Sequence, residues 1–448
     1  MKNLLILVAL GSLVHTAQTL LPIGGDAHGA AGTALAFGLL LLVAFVSGDI
    51  LARLRLPKLV GYILAGIAIG PHALGFVSAN MIVQLDLIEG VAICLIALTA
   101  GGELNLGRLR PLLPTIVALT GWAVVGTSVL LGLALFVAAP RLGFLEGLED
   151  TTLLAFCGML GVVLSAQSPA VVMAMLSETR SDGPVSRTML GTVVIADLVV
   201  IVLFSGASAV VRSLMTGEGD AAGTARTIAW ELFGSMGSGI VVGILLAYYL
   251  RKVRRDASLF VVLLCIIVAE ITTRVSLDPL IVMLSAGLVI ANFVESDASS
   301  LVHDLQAASL PLYLVFFAVA GTTLHLDLLF EFGAIAAILV ALRALGFALG
   351  GAIATRQTRT TVEIRRWAWT GLLPQAGLAL ALALVVQRSF GDWGKGASAL
   401  LLGVIALNEL FMPIVLRNAL LRSGEAMVRS SVAPAVRLPA PSPPGEQP

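Results

Sequence analysis

The chain has 448 residues, 58% of them hydrophobic and only 12% charged, and its 27 basic and 27 acidic side chains cancel to a formal charge of +0. No soluble core needs that much apolar sequence, and the apolar runs are long enough to cross a hydrocarbon layer about 30 Å thick. Cys94, Cys157 and Cys265 all lie inside such runs, where a free cysteine behaves as a small hydrophobe, so no disulfide is expected. The histidines have no metal-ligand spacing, and the chain has no phosphate loop, nucleophile elbow or paired Cys-x-x-Cys. Neither an enzyme nor a cofactor nor a nucleic-acid partner is expected.

Residues 1–33 open with Lys2 and a short apolar stretch, Leu4 to Val14, which reads as a signal-like segment or an extra N-terminal helix and leaves Gly25 to Thr33 outside. Apolar runs then alternate with polar turns at 34–52, 57–71, 86–101, 112–138, 152–177, 188–211, 228–250, 258–273, 276–294, 306–323, 333–354, 367–387 and 397–416. The pattern predicts an all-α polytopic membrane protein of about thirteen transmembrane helices, with the membrane domain spanning 34–421. Arg53, Arg55 and Lys58, then Arg251, Lys252, Arg254 and Arg255, then Arg356, Arg359, Arg365 and Arg366 fall in alternate loops, the bias of cytoplasmic loops. The odd number of crossings puts the C-terminus inside. There the proline-rich 422–448 is expected to form a disordered cytoplasmic tail.

Two spans are interrupted at their middle, one by Ser165-Ala166-Gln167-Ser168-Pro169 and the other by Leu373-Pro374-Gln375-Ala376-Gly377. Proline removes a backbone donor, so such runs favour unwound crossovers, and paired broken helices in inverted repeats expose helix ends near a midplane site. The order also repeats. Span 112–138, the first broken span and a span carrying Asp197 correspond to 333–354 with Arg343, the second broken span and a span carrying Asn408 and Glu409.

Asp197, Glu270 and Arg343 are charges in otherwise apolar spans, each costing at least about 2.5–3.5 kcal/mol near the bilayer centre. They mark an ion or proton pathway or, in the plainer reading, a buried ion pair of Asp197 with Arg343. Glu270 is either a structural partner of Arg343 or a second proton-handling group. Gln167 and Ser168 cap the broken helix or offer oxygens to a cation. The Gly66/Gly70 spacing favours close helix packing over ligand binding.

The run from Arg55 to Pro71, RLPKLVGYILAGIAIGP, closely resembles the early helix of monovalent cation/proton antiporters of the Kef-like and bacterial sodium/proton exchanger branch. Leu98 to Asn105, Ser165 to Val172, Asp197, Arg343 and Gly371 to Leu380 resemble further family landmarks in the family's order, so that the likeness covers roughly 34–420. It implies a secondary antiporter exchanging a monovalent cation (Na+ or K+) for H+ by alternating access, in a homodimer of the inner membrane serving pH homeostasis. The metal ion would sit at Asp197 with Ser168 and Gln167, and Arg343 and Glu270 would be charge partners. Ser165, Pro169, Pro374, Gln375 and Gly377 would shape the crossovers.

Gln167-Ser168-Pro169 stands where many relatives have Thr-Asp-Pro, and Ala196-Asp197 where many have a paired acidic or amide residue. One aspartate at the site implies electroneutral, one-for-one exchange. The alternatives are a channel-like or sensory membrane protein and a symporter or anion carrier of similar design, in which Arg343 would bind the substrate.

Overall fold

A computed structural model describes residues 30–71, 73–103, 105–216, 223, 226, 229–252, 257–293, 313–323 and 327–426. The signal-like segment, the loop of Arg254 and Arg255, the start of the 306–323 run and nearly all of the tail lie outside these residues. Among the described residues the chain is helical, with a lone bridge between Ser181 and Ala426.

The first three helices are α1 (Ala30–Arg53), α2 (Lys58–Ile69) and α3 (Ala79–Glu103). Then comes α4 (Arg110–Arg141), interrupted by a π-helical turn at Thr120–Val125. The first broken helix is α5 (Asp150–Ser165) and α6 (Pro169–Thr179), followed by the long α7 (Pro184–Thr216). Next are α8 (Ser235–Lys252), α9 (Ala257–Arg274), α10 (Pro279–Phe293) and α11 (Tyr313–Thr322). The chain ends in α12 (Asp327–Gln357), the second broken helix of α13 (Val362–Trp367) and α14 (Gly377–Ser389), and α15 (Gly391–Arg422). Eight helical spans are long and apolar enough to cross a membrane, and five shorter apolar helices occupy further expected positions.

The broken helices stop where the sequence predicts. Residues 166–168 and 374–376 leave the helical conformation, and each second half starts immediately afterwards. Pro169 takes the first helical position of α6, where its missing N–H costs nothing, and Ser168 Oγ accepts a hydrogen bond from Val171 N at 3.2 Å. The capping reading of Ser168 is therefore realised. The α13 segment tightens into a 3-10 turn over Ala368–Leu372 before the second break.

Packing sorts the helices into two groups. In one, α4 lies on α5, α5 on α7, and α15 on α12 and α14. In the other, α3 and α8 lie on α10; α1 lies on α2, which also touches α15 of the first group. The most apolar window of the α5–α6 span is entirely buried, so the unwound residues are shielded from lipid by neighbouring helices. Gly66 serves packing, as its spacing predicts, because a side chain there would strike the Ala318 carbonyl oxygen.

The second group is tightest where α3 crosses α10. A side chain on Gly101 would meet the Leu284 carbonyl oxygen, and one on Gly287 the Leu98 carbonyl oxygen. Backbone faces backbone there, so neither helix can yield by changing a rotamer. Gly287→Val should cost stability at the upper end of the roughly 1–3 kcal/mol typical of overpacking. The check is the melting temperature in detergent, which should fall for Gly287→Val and stay near wild type for Gly38→Val, where no atom lies within 4 Å of the added carbon.

Candidate functional site

Arg343, sixteen residues into α12, is 1% exposed, and its guanidinium is directed at backbone rather than at carboxylates. Nε donates to Leu164 O at 2.7 Å and Nη2 to Ala166 O at 2.7 Å, both at the end of α5. Nη2 also donates to Leu372 O at 3.0 Å and Nη1 to Leu373 O, both at the end of the 3-10 turn. One cation thus serves the C-terminal ends of both first half-helices, where the partial negative charge of the backbone dipoles collects. The guanidinium plane rests over Phe347, 4.6 Å from the ring centre.

Side-chain amides extend the node. Gln375, in the second break, donates Nε2 to Leu164 O in the first at 3.0 Å. Its Oε1 accepts from Asn408 Nδ2 of α15 at 2.7 Å. In the first break, Gln167 Nε2 bonds Ser165 O, and Ser165 Oγ accepts from Ser128 Oγ of α4 at 2.7 Å. The two breaks and three flanking helices therefore form one hydrogen-bonded unit.

Against this satisfied scaffold, several buried oxygens have no hydrogen-bond partner among the described residues. They are Asp197 Oδ1, Gln167 Oε1, Asn408 Oδ1 and both carboxylate oxygens of Glu409. Asp197 is 6% exposed and sits near the middle of α7, the helix that packs on α5. The described residues hold no cluster of three His, Cys, Asp or Glu side chains. A weakly hydrated monovalent cation needs only oxygens, which is what the unpartnered set offers.

Two expected partnerships are corrected. The ion pairs among the described residues include none between Arg343 and Asp197, because the guanidinium is already committed to four carbonyl oxygens. Glu270 does not join Arg343 either. It lies on the exposed side of α9 and accepts from Arg274 Nε one turn along, at 2.8 Å. Pro374 and Gly377 bound the second break as expected.

Two residues went unassigned in the sequence. Asp278 caps α10 by accepting from Leu280 N at 2.7 Å and Ile281 N at 3.2 Å. Its signal, an Asp-Pro pair at a helix start, was ordinary capping chemistry. Glu409 carried the same signal as Asp197, a carboxylate in an apolar run, and is more deeply buried, at 1% exposure.

The family model for the sodium/hydrogen exchanger transmembrane domain matches residues 38–421. The chain belongs to this family. Within known exchangers and transporters it is 29% identical over 364 residues to the iron transporter MagA of Paramagnetospirillum magneticum, across 78% of this chain and 75% of that one. It is 25% identical over 296 residues to the ammonium/H+ antiporter subunit AmhT of Alkalihalophilus pseudofirmus, across 64% and 69%. The exchanger fold also matches the sodium proton antiporter MjNhaP1 from Methanocaldococcus jannaschii, with a TM-score of 0.67 at 16% identity, over 88% of this chain and 98% of that one.

In this exchanger the Arg343 node makes a direct prediction. Arg343→Ala strands buried acceptors at about 1–3 kcal/mol each and should destabilise the protein by about 3 kcal/mol or more. Arg343→Lys keeps a charge and part of the bonding but not the planar fork, so its loss should be smaller. Melting of both variants in detergent checks the order, and an alanine variant as stable as wild type would remove Arg343 from the node.

Proposed function

We propose that the protein exchanges a monovalent cation, Na+ or K+, for protons, with Asp197 as the group that binds both. The observation that carries this is the contrast between Arg343, bonded to four backbone carbonyl oxygens, and Asp197, buried with Oδ1 unpartnered among the described residues. A carboxylate in such surroundings must be neutralised by a proton or by a cation, and the two compete for the same oxygens. Competition becomes exchange when the loaded carrier alone reorients.

The helix groups supply the moving parts for alternating access. The group of α4–α7 and α12–α15 carries both breaks and Asp197, and the group of α1–α3 and α8–α10 faces it. At one end of the seam the groups are tied by polar contacts. Glu178 of α6 accepts from Lys58 N at 3.2 Å, and Arg417 of α15 donates Nη1 to Arg55 O at 2.9 Å. These few bonds are a closure that a rocking motion can break. The basic residues at this end favour its being cytoplasmic, in the inner membrane with the C-terminus inside. A homodimer built on the non-moving group fits the division of labour.

An anion carrier is disfavoured because four of the five Arg343 N–H groups are taken by backbone carbonyl oxygens. The expectation of electroneutral one-for-one exchange counts Asp197 alone; Glu409 is a second buried carboxyl.

The test is Asp197→Asn in proteoliposomes loaded with a pH dye. The amide keeps the shape and loses the titrating charge, so cation-induced dequenching should fall to the protein-free background while the protein still inserts and melts normally. Wild-type exchange in that variant would remove Asp197 from the mechanism.

A further inference from the structure

Glu409 lies inside α15 with both carboxylate oxygens buried and without a hydrogen-bond partner among the described residues. An ionised carboxylate in that state is among the most expensive arrangements a protein interior can hold, unless a counter-charge stands beside it.

The charged groups on the packed elements do not provide one. Arg343 of α12 is held by carbonyl oxygens, and Lys58 of α2 pairs with Asp49 at 3.0 Å. On α6, Glu178 is itself acidic and lies beside Lys58 N and Arg417. Arg417 is eight residues beyond Glu409 on α15, about 12 Å along the axis. Arg388 closes the last turn of α14 and Asp150 opens α5, both at helix ends.

Position adds a second argument. The sequence of long helix, broken helix, long helix occurs twice, as α4 to α7 and as α12 to α15. Asp197 lies on the last helix of the first set and Glu409 on the last helix of the second. Asn408, next to Glu409, is wired to Gln375 of the second break at 2.7 Å.

We propose that Glu409 is a second proton-binding carboxyl of the transport cycle. It holds a proton while it is buried in the bundle, and gives it to water in the compartment that opens when the groups shift. The ligand is H+ alone, and the step makes and breaks only the carboxyl O–H bond. The proposal rests on the exchange reading of Asp197 and adds a proton to it.

Two measurements decide it. In proteoliposomes at clamped potential, radiolabelled cation and proton fluxes are counted together for wild type, Asp197→Asn and Glu409→Gln. Wild type should move more protons than cations, and Glu409→Gln should slow exchange and lower the proton-to-cation ratio to about half, as expected when one of two titrating carboxyls is removed. An unchanged ratio overturns the proposal. Loss of all exchange in wild type, or its persistence in Asp197→Asn, instead overturns the exchange reading.

Infrared difference spectra between acid and alkaline pH give a readout independent of flux. A protonated-carboxyl band should persist in Asp197→Asn, disappear in Glu409→Gln and move in Glu409→Asp. If Glu409→Gln fails to insert, the Asp197→Asn and Glu409→Asp spectra still decide, because a band that Glu409→Asp does not move refutes the assignment.

Discussion

Unwinding a helix inside an apolar body strands backbone carbonyls that water would otherwise satisfy, and everything at this site depends on how those carbonyls are answered. Here the answer is one buried guanidinium. Arg343 reaches the ends of both half-helices, which Lys could not do with a single ammonium and three radiating donors. Gln375 adds a direct amide bond from one break to the other. The two breaks therefore behave as one rigid unit, and the charge that stabilises them is unavailable for anything else.

That commitment determines the chemistry of the acidic groups. Had Arg343 paired with Asp197, the carboxylate would be a structural ion, and proton binding would have to displace a salt bridge. Without that pair, an ionised Asp197 carries the full cost of burial, which a proton or a cation would offset. Glu409, on the second set of helices, is likewise buried with both carboxylate oxygens unpartnered among the described residues. The α3–α10 crossing, backbone against backbone at Gly101 and Gly287, gives the helices facing this bundle a stiff surface to move against.

Much of this was legible in the sequence because membranes punish deviation. Ser165 to Pro169 and Leu373 to Gly377 announced the breaks, since proline next to small polar residues at mid-span favours unwinding. Asp197 and Arg343 announced the site by their cost. What the sequence did not reveal was partnership. Hydropathy says that Glu270 and Arg343 are each expensive, but not that Glu270 turns outward to Arg274 while Arg343 finds carbonyls instead of a carboxylate. Those choices depend on which helix faces lie opposite one another, information that no single span contains. Glu409 was passed over for the same reason. Only packing shows that Asn408 bonds Gln375 while neither carboxylate oxygen of Glu409 has a partner among the described residues.

The central claim is that Asp197, not the guanidinium node, receives the transported cation. The most direct measurement is a structure of the protein soaked with thallium ion at alkaline pH, where competing protons are scarce and the heavy cation is visible by its anomalous signal. The account predicts a peak in contact with Asp197 Oδ1 beside the first break, absent when the soak is repeated at acid pH. A peak elsewhere with Asp197 unoccupied, or Asp197 turned to pair with Arg343 at alkaline pH, would contradict it.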